Sequence, residues 1–414
     1  MQKPDKIEIM APVGSYAALH AAINANADSV YFGIENLNMR SQSSKNFTIS
    51  DLNKIVNISQ KNSVKSYLTL NTVIYNEDIG LMQEIITAAK KAGINAIIAS
   101  DLAVMQYARQ QGLEIHMSTQ ANISNIEAVK FYSNFADVVV LARELNLKQV
   151  GEITEKIERG EIRGPSGARV RVEMFVHGAL CMAISGKCYL SLHQYNRSAN
   201  RGACLQVCRR AYIVTDKENG KELEIDNENI MSPKDLCTIH FINKILDAGV
   251  SVLKIEGRAR SPEYVKTVVE CYREAVDSYF DGTYNEEKIA QWKDKLKSVF
   301  NRGFWDGYYL GQKLGEWTHK YGSQATRKKV YVGPVTNYYD KIQVGEFYSE
   351  AASLAKEDNA LIIGPTTGVI ELDIDEVRID DEATQNVPQG VAFTIPVEEK
   401  LRRSDKLYKI IEKE

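Results

Sequence analysis

Residues 65–100 read KSYLTLNTVIYNEDIGLMQEIITAAKKAGINAIIAS and contain the pattern that decides the fold. An apolar run at 65–70 is followed by a stretch with the period of an amphipathic helix, and Gly93 stands where such a helix would stop. A second apolar run follows at 96–99. Strand, helix and strand in this order predict a βαβ unit with parallel strands.

The same alternation continues on both sides of this unit. Further apolar runs, each followed by a helix-period stretch, are IEIMAP from 7, DSVYFG from 28, EIHMSTQ from 114 and ADVVVLA from 136. Two more buried strands follow, VRVEMFVHG from 170 and VSVLKIEG from 250. Eight such units predict a closed TIM-like (β/α)8 barrel over residues 1–320. An open doubly wound sheet is the alternative, but no Gly-x-Gly-x-x-Gly follows the first strand.

The character of the chain changes near residue 330. Short alternating strands, such as VYVGPVTNYY and ALIIGPTTGVIELDID, are separated there by Gly, Pro and Asp turns. This pattern predicts a small antiparallel β-barrel domain over residues 330–414, and the polar segment THKYGSQATRKK from 318 predicts a linker.

Composition limits the function classes. A net charge of −3 and a pI of 6.2 argue against broad non-specific nucleic-acid binding, although they allow a local basic patch. The N-terminal residues MQKPDKIEIMAP have no apolar signal region, and no apolar stretch is long enough for a membrane helix. We therefore expect a cytoplasmic protein without a membrane partner, in which the six cysteines are thiols rather than disulfides.

The cysteines cluster in an insertion between the seventh and eighth barrel strands, residues 179–249. All except Cys271 lie there: Cys181, Cys188, Cys204, Cys208 and Cys237. Thiolates that converge from several loops are typical of iron–sulfur sites. Structural zinc sites usually have paired Cys-x-x-Cys knuckles, and none is present. Inert buried cysteines are the remaining alternative.

The segment EMFVHGALCMAISGKCYLS, residues 173–191, resembles the signature of the collagenase-like peptidase family U-32. NRGACLQVCR, MSPKDLC, VLKIEGR, NRGF and the C-terminal VGPVTNYY and GPTTG are similar to the same family, so the likeness covers essentially the whole chain. Better-understood members are iron–sulfur proteins that hydroxylate without molecular oxygen. Their branches act on a tRNA wobble uridine, on large-subunit ribosomal RNA or on ubiquinone precursors.

The tRNA branch is the most similar, and in it the resemblance implies prephenate as the hydroxyl donor. It also implies a 4Fe-4S cluster. We expect Cys181, Cys188 and Cys204 to be ligands, with Cys208 or Cys237 as the fourth. A protein that carries its cluster into a larger complex with a protein partner is a non-enzymatic alternative.

Proteolysis is the alternative that the family name implies. The sequence contains no His-Glu-x-x-His and no Gly-x-Ser-x-Gly motif. A cysteine peptidase needs a histidine near its nucleophile, and His177 with Cys181 is the one candidate pair.

Polar residues at the carboxyl ends of the barrel strands are the candidate site, because chemistry collects there in such barrels. Lys254 and Glu256 alternate inside a buried-looking strand, where unpaired charge is costly. The predicted catalytic residues are Glu173, His177, Lys254, Glu256 and Arg258.

The predicted substrate-binding residues fall into two groups. Guanidinium groups of Arg40, Arg143 and Arg258 suit the two carboxylates of prephenate, with Asn71 and Gln120 at neighbouring strand ends. Arg201 and Arg209 lie in a basic, tyrosine-bearing segment, residues 195–212, which is typical of RNA contact.

Overall fold

The computed structural model describes residues 7–35, 37–41, 47–213, 215, 217–220 and 229–413. Its first part is a ring of parallel strands. They are β1 (Glu8–Pro12), β2 (Ser29–Gly33), β3 (Lys65–Leu70), β4 (Ala96–Ala99), β5 (Glu114–Met117), β6 (Val138–Val140), β7 (Arg171–Ala179) and, after the short β8 (Asp235–Cys237), β9 (Val252–Ile255). Strands β1 to β7 pair in chain order, and β9 pairs with both β1 and β7. The predicted closed eight-stranded barrel is confirmed.

Helices surround this barrel and pack their apolar faces on its outside, except α7, which lies in the cysteine insertion. They are α1 (Tyr16–Asn24), α2 (Leu52–Lys61), α3 (Ile79–Ala92), α4 (Leu102–Gln110), α5 (Ile126–Tyr132), α6 (Leu147–Arg159), α7 (Leu190–Tyr195), α8 (Ile242–Asp247), α9 (Pro262–Phe280) and α10 (Glu286–Ser298). Gly93 ends α3 in the left-handed region, at a φ of 85° that disfavours residues with a Cβ. Among the described residues, no helix is both long and apolar enough to cross a membrane.

The C-terminal part is an antiparallel β domain, as predicted. After β10 (Phe304–Trp305), which pairs with β8, its strands are β11 (Arg327–Tyr339), β12 (Val344–Tyr348), β13 (Leu354–Ala355), β14 (Asn359–Gly364), β15 (Gly368–Asp373), β16 (Arg378–Ile379), β17 (Glu382–Ala383), β18 (Asn386–Val387), β19 (Ala392–Pro396) and β20 (Lys406–Glu412). Buried side chains from most of these strands meet in one core that is separate from the barrel core. The sequence predicted that the C-terminal domain begins at residue 330, and its first strand, β11, begins three residues earlier, at Arg327.

Strand β7 is longer than the other strands of the barrel, with nine residues. Its first part pairs with β6 and β9 inside the ring, whereas its last residues pair with β8 in the antiparallel direction, His177 opposite Cys237 and Ala179 opposite Asp235. The sequence did not predict β8, because three residues of DLC carry no periodic pattern of their own. The pairing depends on the overhang of β7, and it fixes both ends of the insertion to the barrel rim.

A buried charge network lies inside the barrel, around Glu8. Glu8 precedes Met10 by two residues and therefore faces the same interior cluster. Its carboxylate accepts hydrogen bonds from the Tyr67 hydroxyl and from Arg171 Nη1, each at 2.6 Å. Burial alone raises the pKa of Glu8, but Arg171, His116 and the Tyr67 hydrogen bond lower it to about 2. Glu8 is therefore an anion in the folded protein.

We expect Glu8→Gln to lower the free energy of unfolding by about 3 kcal/mol at neutral pH, since the pKa is depressed by roughly two units or more on folding. Because the pKa of Glu8 is depressed in the folded protein, Glu8 stabilises the fold at pH values above 4.5, the ordinary pKa of a glutamate carboxyl. This stability is lost as the pH falls towards 2. Urea titrations of both proteins across this range should therefore converge at the acid end. Glu127→Gln, at an exposed ion pair with Lys130, is the control and should change little.

Candidate functional site

A cavity of about 210 Å³ opens at the carboxyl ends of the barrel strands, where the cysteine insertion covers them. The structure brings most of the predicted site residues to its wall. They are Arg40, Asn71, Gln120, Arg143, Arg209, Lys254, Glu256 and Arg258, together with Cys181, Cys188, Cys204 and Cys208. His177, Arg201 and Cys237 are not part of the cavity wall in the described chain, and Glu173 reaches it only through Lys254.

Four thiols share this cavity. Cys181 is exposed, and Cys188, Cys204 and Cys208 are half-buried. Burial raises the pKa of Cys208 to about 11; the sulfurs of Cys181, Cys204 and Cys188 add to this effect, while Arg209 opposes it. Burial also raises the pKa of Cys188, again with Cys181 and Cys204 adding to it. The sulfurs of Cys181 and Cys204 thus lie near those of Cys188 and Cys208, and a bound metal would relieve the repulsion between their thiolates.

Cys237 lies apart from these four thiols. It sits on β8, is 3% exposed and belongs to the apolar core of the barrel domain. Burial raises its pKa to about 11, and its thiol contacts the Tyr272 hydroxyl. Of the two candidates for a fourth ligand, the geometry favours Cys208.

The donor set fits a cluster better than a single ion. Zinc–sulfur bonds of about 2.3 Å hold four sulfurs within roughly 4 Å of one another. In the part of the chain that the structure describes, no three Cys, His, Asp or Glu side chains converge closely enough for one ion. The ligands of a four-iron cluster are more widely spaced because the iron–sulfur cage lies between them. The four thiols around the cavity supply the number of ligands that such a cluster takes.

The remaining wall of the cavity is strongly basic. Glu256 is its only carboxylate among the described residues, against Arg40, Arg143, Arg209, Lys254, Arg258, Arg260 and Arg302. Arg260 stacks on Phe300 at 3.5 Å, and Arg302 contacts Asp235 at 3.3 Å. Sequence reasoning missed these two arginines, although Arg302 lies in the quoted NRGF segment and Arg260 is the second residue after VLKIEGR. The cavity therefore suits an anionic ligand.

Lys254 and Glu173 form a buried ion pair at the base of the cavity. Lys254 Nζ donates to Glu173 Oε1 at 2.6 Å, with the two side chains 5% and 0% exposed. The ammonium also lies 4.8 Å from the ring centre of Tyr31. Glu173 Oε2 has no hydrogen-bond partner within the described residues. A buried pair costs desolvation, so its position against a ligand cavity favours a chemical role over a stabilising one.

Glu256 holds the Arg40 side chain at the cavity wall. Arg40 Nη2 donates to Glu256 Oε1 at 2.8 Å, and the Tyr31 hydroxyl donates to Oε2 at 3.2 Å. Burial raises the pKa of Glu256, but Arg40 and Arg258 lower it to about 2. Glu256 is therefore an anion that orients Arg40, which is a positioning role.

Hydrogen bonds from Nη1 hold the Arg258 side chain at the cavity wall. Its Nη1 donates to Asn38 Oδ1 at 3.0 Å and to Thr69 Oγ1 at 2.8 Å. Its Nε is buried and has no partner in the described chain. An orphaned buried donor on the wall of a basic cavity is a group that an anionic ligand would satisfy.

His177 does not form a dyad with Cys181. Its ring is 1% exposed and packs among Tyr264, Tyr272 and Phe304, and burial lowers its pKa to about 3. Simple alternation along β7 places His177 on the same face as Glu173 and Phe175, but the pairing with β9 shifts register between residues 175 and 177. This irregularity turns His177 into the core. No histidine lines the thiol-bearing cavity, among described residues that include all six in the sequence.

Arg201 and Arg209 both have partners within the chain. Arg201 pairs with Asp78 and does not line the main cavity in the described chain. Arg209 Nη1 donates to the Pro233 carbonyl at 2.5 Å and to the Ser232 hydroxyl at 3.1 Å, and its Nη2 donates to the Leu180 carbonyl at 2.6 Å. RNA contact by these two residues stays a prediction, and the geometry gives Arg209 the role of joining the two ends of the insertion.

We expect Arg209→Ala to loosen the insertion, because three internal acceptors lose their charged donor. Limited proteolysis should cut between residues 181 and 233 at least several-fold faster than in the wild type. Arg210→Ala is the matched control, since the neighbouring Arg210 is exposed and its hydrogen bond and ring contact are with Tyr195 on the surface. Equal cleavage rates in both variants would contradict the joining role.

Comparisons with known proteins identify the family. The model of peptidase family U32 matches residues 14–319. A Porphyromonas gingivalis protein named collagenase is 62% identical over 98% of this chain and 98% of its own length. An uncharacterized protease of Methanocaldococcus jannaschii is 36% identical over 97% of this chain and 98% of its own, and tRNA hydroxylation protein P1 of Bacillus subtilis is 33% identical over 94% and 92%. This chain therefore belongs to peptidase family U32.

Proposed function

We propose that this protein is an iron–sulfur-dependent enzyme that hydroxylates a tRNA wobble uridine without molecular oxygen, with prephenate as the hydroxyl donor. One observation carries the proposal: four thiols and a set of buried cations share one cavity at the strand ends, and no histidine joins them there in the described chain. The similarity to a tRNA hydroxylation protein over most of the chain supports the RNA substrate. Action on tRNA implies a cytoplasmic site of work.

Cys181, Cys188, Cys204 and Cys208 would hold a 4Fe-4S cluster. When bound, such a cluster supplies electron transfer or a Lewis-acidic centre. The protein groups around it bind the donor. Arg258 offers an unsatisfied N–H, and the guanidinium of Arg143, whose Nη2 donates to the Ser185 hydroxyl at 2.6 Å, lies on the same wall. Two separated guanidinium groups suit a ligand with two carboxylates.

Lys254 is the proton-transferring group in this proposal. It is the one ammonium on the cavity wall in the described residues, and Glu173 behind it fixes the direction of its N–H bonds. Asn71 and Gln120 complete the polar wall. The Asn71 amide donates to Ser118 Oγ at 3.3 Å, and the Gln120 carbonyl oxygen accepts from Ser100 Oγ at 3.2 Å, so both are held in place.

Mass spectrometry of nucleosides from cells lacking the gene tests the proposal. We expect one hydroxylated uridine to disappear from tRNA and to return with the wild-type gene, but not with a gene that carries Cys181→Ser. A tRNA profile unchanged by the deletion would refute it. Loss of a hydroxylated base from ribosomal RNA instead would assign the protein to the sister reaction.

Peptide hydrolysis is the second candidate, favoured by the name of the 62% identical relative. The geometry gives it little support, because His177 is buried away from Cys181 and no other histidine lines the cavity in the described chain. Purified protein, with and without its cluster, should be incubated with gelatin. Cleavage that Cys181→Ser abolishes would support a peptidase.

A further inference from the structure

A second pocket of about 370 Å³ lies beside the main cavity and is not used by the proposed chemistry. In several chain segments, consecutive residues face the two spaces; examples are Arg40 and Ser41, Asn71 and Thr72, and Cys204 and Ala203, with the first of each pair on the main cavity. The two spaces are therefore neighbours, separated by the thickness of the backbone. A chain-like ligand that enters one is able to reach the other.

One wall of this pocket carries the aromatic ring of Tyr75. The Tyr75 side chain is 51% exposed, and the Arg201 guanidinium stacks on its ring at 3.9 Å. Arg201 also pairs with Asp78 and approaches Glu77 at 3.6 Å. Because these carboxylates balance its charge and fix its position, Arg201 holds the Tyr75 ring in place. A held, half-exposed aromatic ring is a stacking surface for a base.

The other walls provide polar groups. Thr72 is 1% exposed, and its hydroxyl has no hydrogen-bond partner within the described residues. Arg197 also lines the pocket, is exposed, and forms no ion pair in the part of the chain that the structure describes. The Thr72 hydroxyl is suited to a hydrogen bond with the polar edge of a base, and the Arg197 guanidinium is suited to a phosphate.

We propose that this pocket binds the RNA nucleotide adjacent to the reacting uridine, with its base stacked on Tyr75, its polar edge at Thr72 and its phosphate near Arg197. The inference rests on the proposed function and deepens it. An enzyme that acts on a base takes it out of the stack, and the neighbouring nucleotide then loses its own stacking partner. Tyr75 replaces that partner. Recognition by stacking and shape also agrees with a net charge of −3, which argues against strong bulk attraction to RNA.

A double-mutant cycle between protein and RNA tests this assignment. The probe is a fluorescein-labelled tRNA anticodon stem-loop, intact or abasic at either nucleotide that flanks the wobble uridine, with binding measured by fluorescence anisotropy. We expect Tyr75→Ala to weaken binding of the intact RNA about tenfold or more. An abasic site at one flanking position should weaken wild-type binding equally and should have no further effect on Tyr75→Ala, because both changes remove the same contact.

Three further variants control this cycle. Tyr75→Phe keeps the ring and should bind like the wild type, and Thr72→Val should weaken binding a few-fold. Tyr348→Ala removes a tyrosine of similar exposure from β12 of the C-terminal domain and should have no effect. Iron content, measured for each variant, should match that of the wild type, since none of these side chains is a proposed ligand.

Two results overturn the pocket assignment alone, provided that the wild type hydroxylates tRNA in cells. The first is wild-type RNA affinity in Tyr75→Ala. The second is that the affinity losses from Tyr75→Ala and from the abasic site multiply at both flanking positions. If the wild type neither modifies tRNA nor binds the stem-loop, the proposed function fails and the assignment fails with it. The nucleoside measurement on the same cells therefore separates the two failures.

Discussion

Serine in place of Cys181, Cys188, Cys204 or Cys208 is expected to remove nearly all of the iron from the anaerobically reconstituted protein, from about four atoms per chain. Each side chain faces the same cavity, so each loss leaves a cluster with an incomplete ligand set. Hydroxylation should fall to background in all four variants. Iron analysis and the absorbance of the reconstituted protein measure the first effect, and nucleoside mass spectrometry measures the second.

Cys237→Ala and Cys271→Ala are the controls for this series. Both residues are buried in the core of the barrel domain, and neither lines the cavity in the described chain. We expect both variants to keep their iron, with a modest loss of stability from the small cavity that each change leaves. Full iron in Cys181→Ser, or loss of iron in Cys237→Ala with an intact fold, would contradict the ligand set.

Removing the Lys254 ammonium should slow hydroxylation by roughly 10²–10⁴-fold, the usual contribution of a positioned acid or base. Lys254→Met keeps the length of the side chain but leaves Glu173 buried without its cation, which typically costs about 3–5 kcal/mol of stability. The double variant Lys254→Met with Glu173→Leu removes both charges. It should recover the stability while staying inactive.

Single-turnover rates, iron content and anisotropy with the stem-loop separate a chemical role of Lys254 from a structural one. The expected result is a slow chemical step with wild-type iron and wild-type RNA affinity. A double variant that is both stable and fully active would show that the pair only supports the fold. Lys266→Met is a suitable control, because Lys266 pairs with Glu270 on the outside of the barrel, on α9.

The barrel was predictable from sequence because its signals are local. Each strand carries its own apolar run, and each helix its own period, so eight units are visible without tertiary information. The four cavity cysteines were likewise among the predicted ligands. Their clustering in one insertion is a property of the sequence itself.

The roles of Cys237 and His177 were not predictable, because both depend on the pairing of β7. Cys237 is drawn into the core by pairing opposite His177, and His177 leaves the cavity face where β7 shifts register against β9. Arg201 and Arg209 illustrate a second limit. Charge patterning marks both as exposed RNA-binding cations, yet their partners are Asp78 and carbonyl oxygens of distant segments.

The overhang of β7 also determines how the insertion can change over evolution. Ala179 and Asp235 pair across β7 and β8, so the insertion leaves and re-enters the barrel at adjacent points. For a loop whose ends are already joined, a doubling of length costs only about 0.6 kcal/mol in closure entropy. The chain between Arg209 and Ser232 is therefore able to lengthen or shorten at little entropic cost, while the contacts of Arg209 continue to join the ends of the insertion. One scaffold would then be able to present the same cavity to different macromolecules, which offers a physical route by which a single family diversifies.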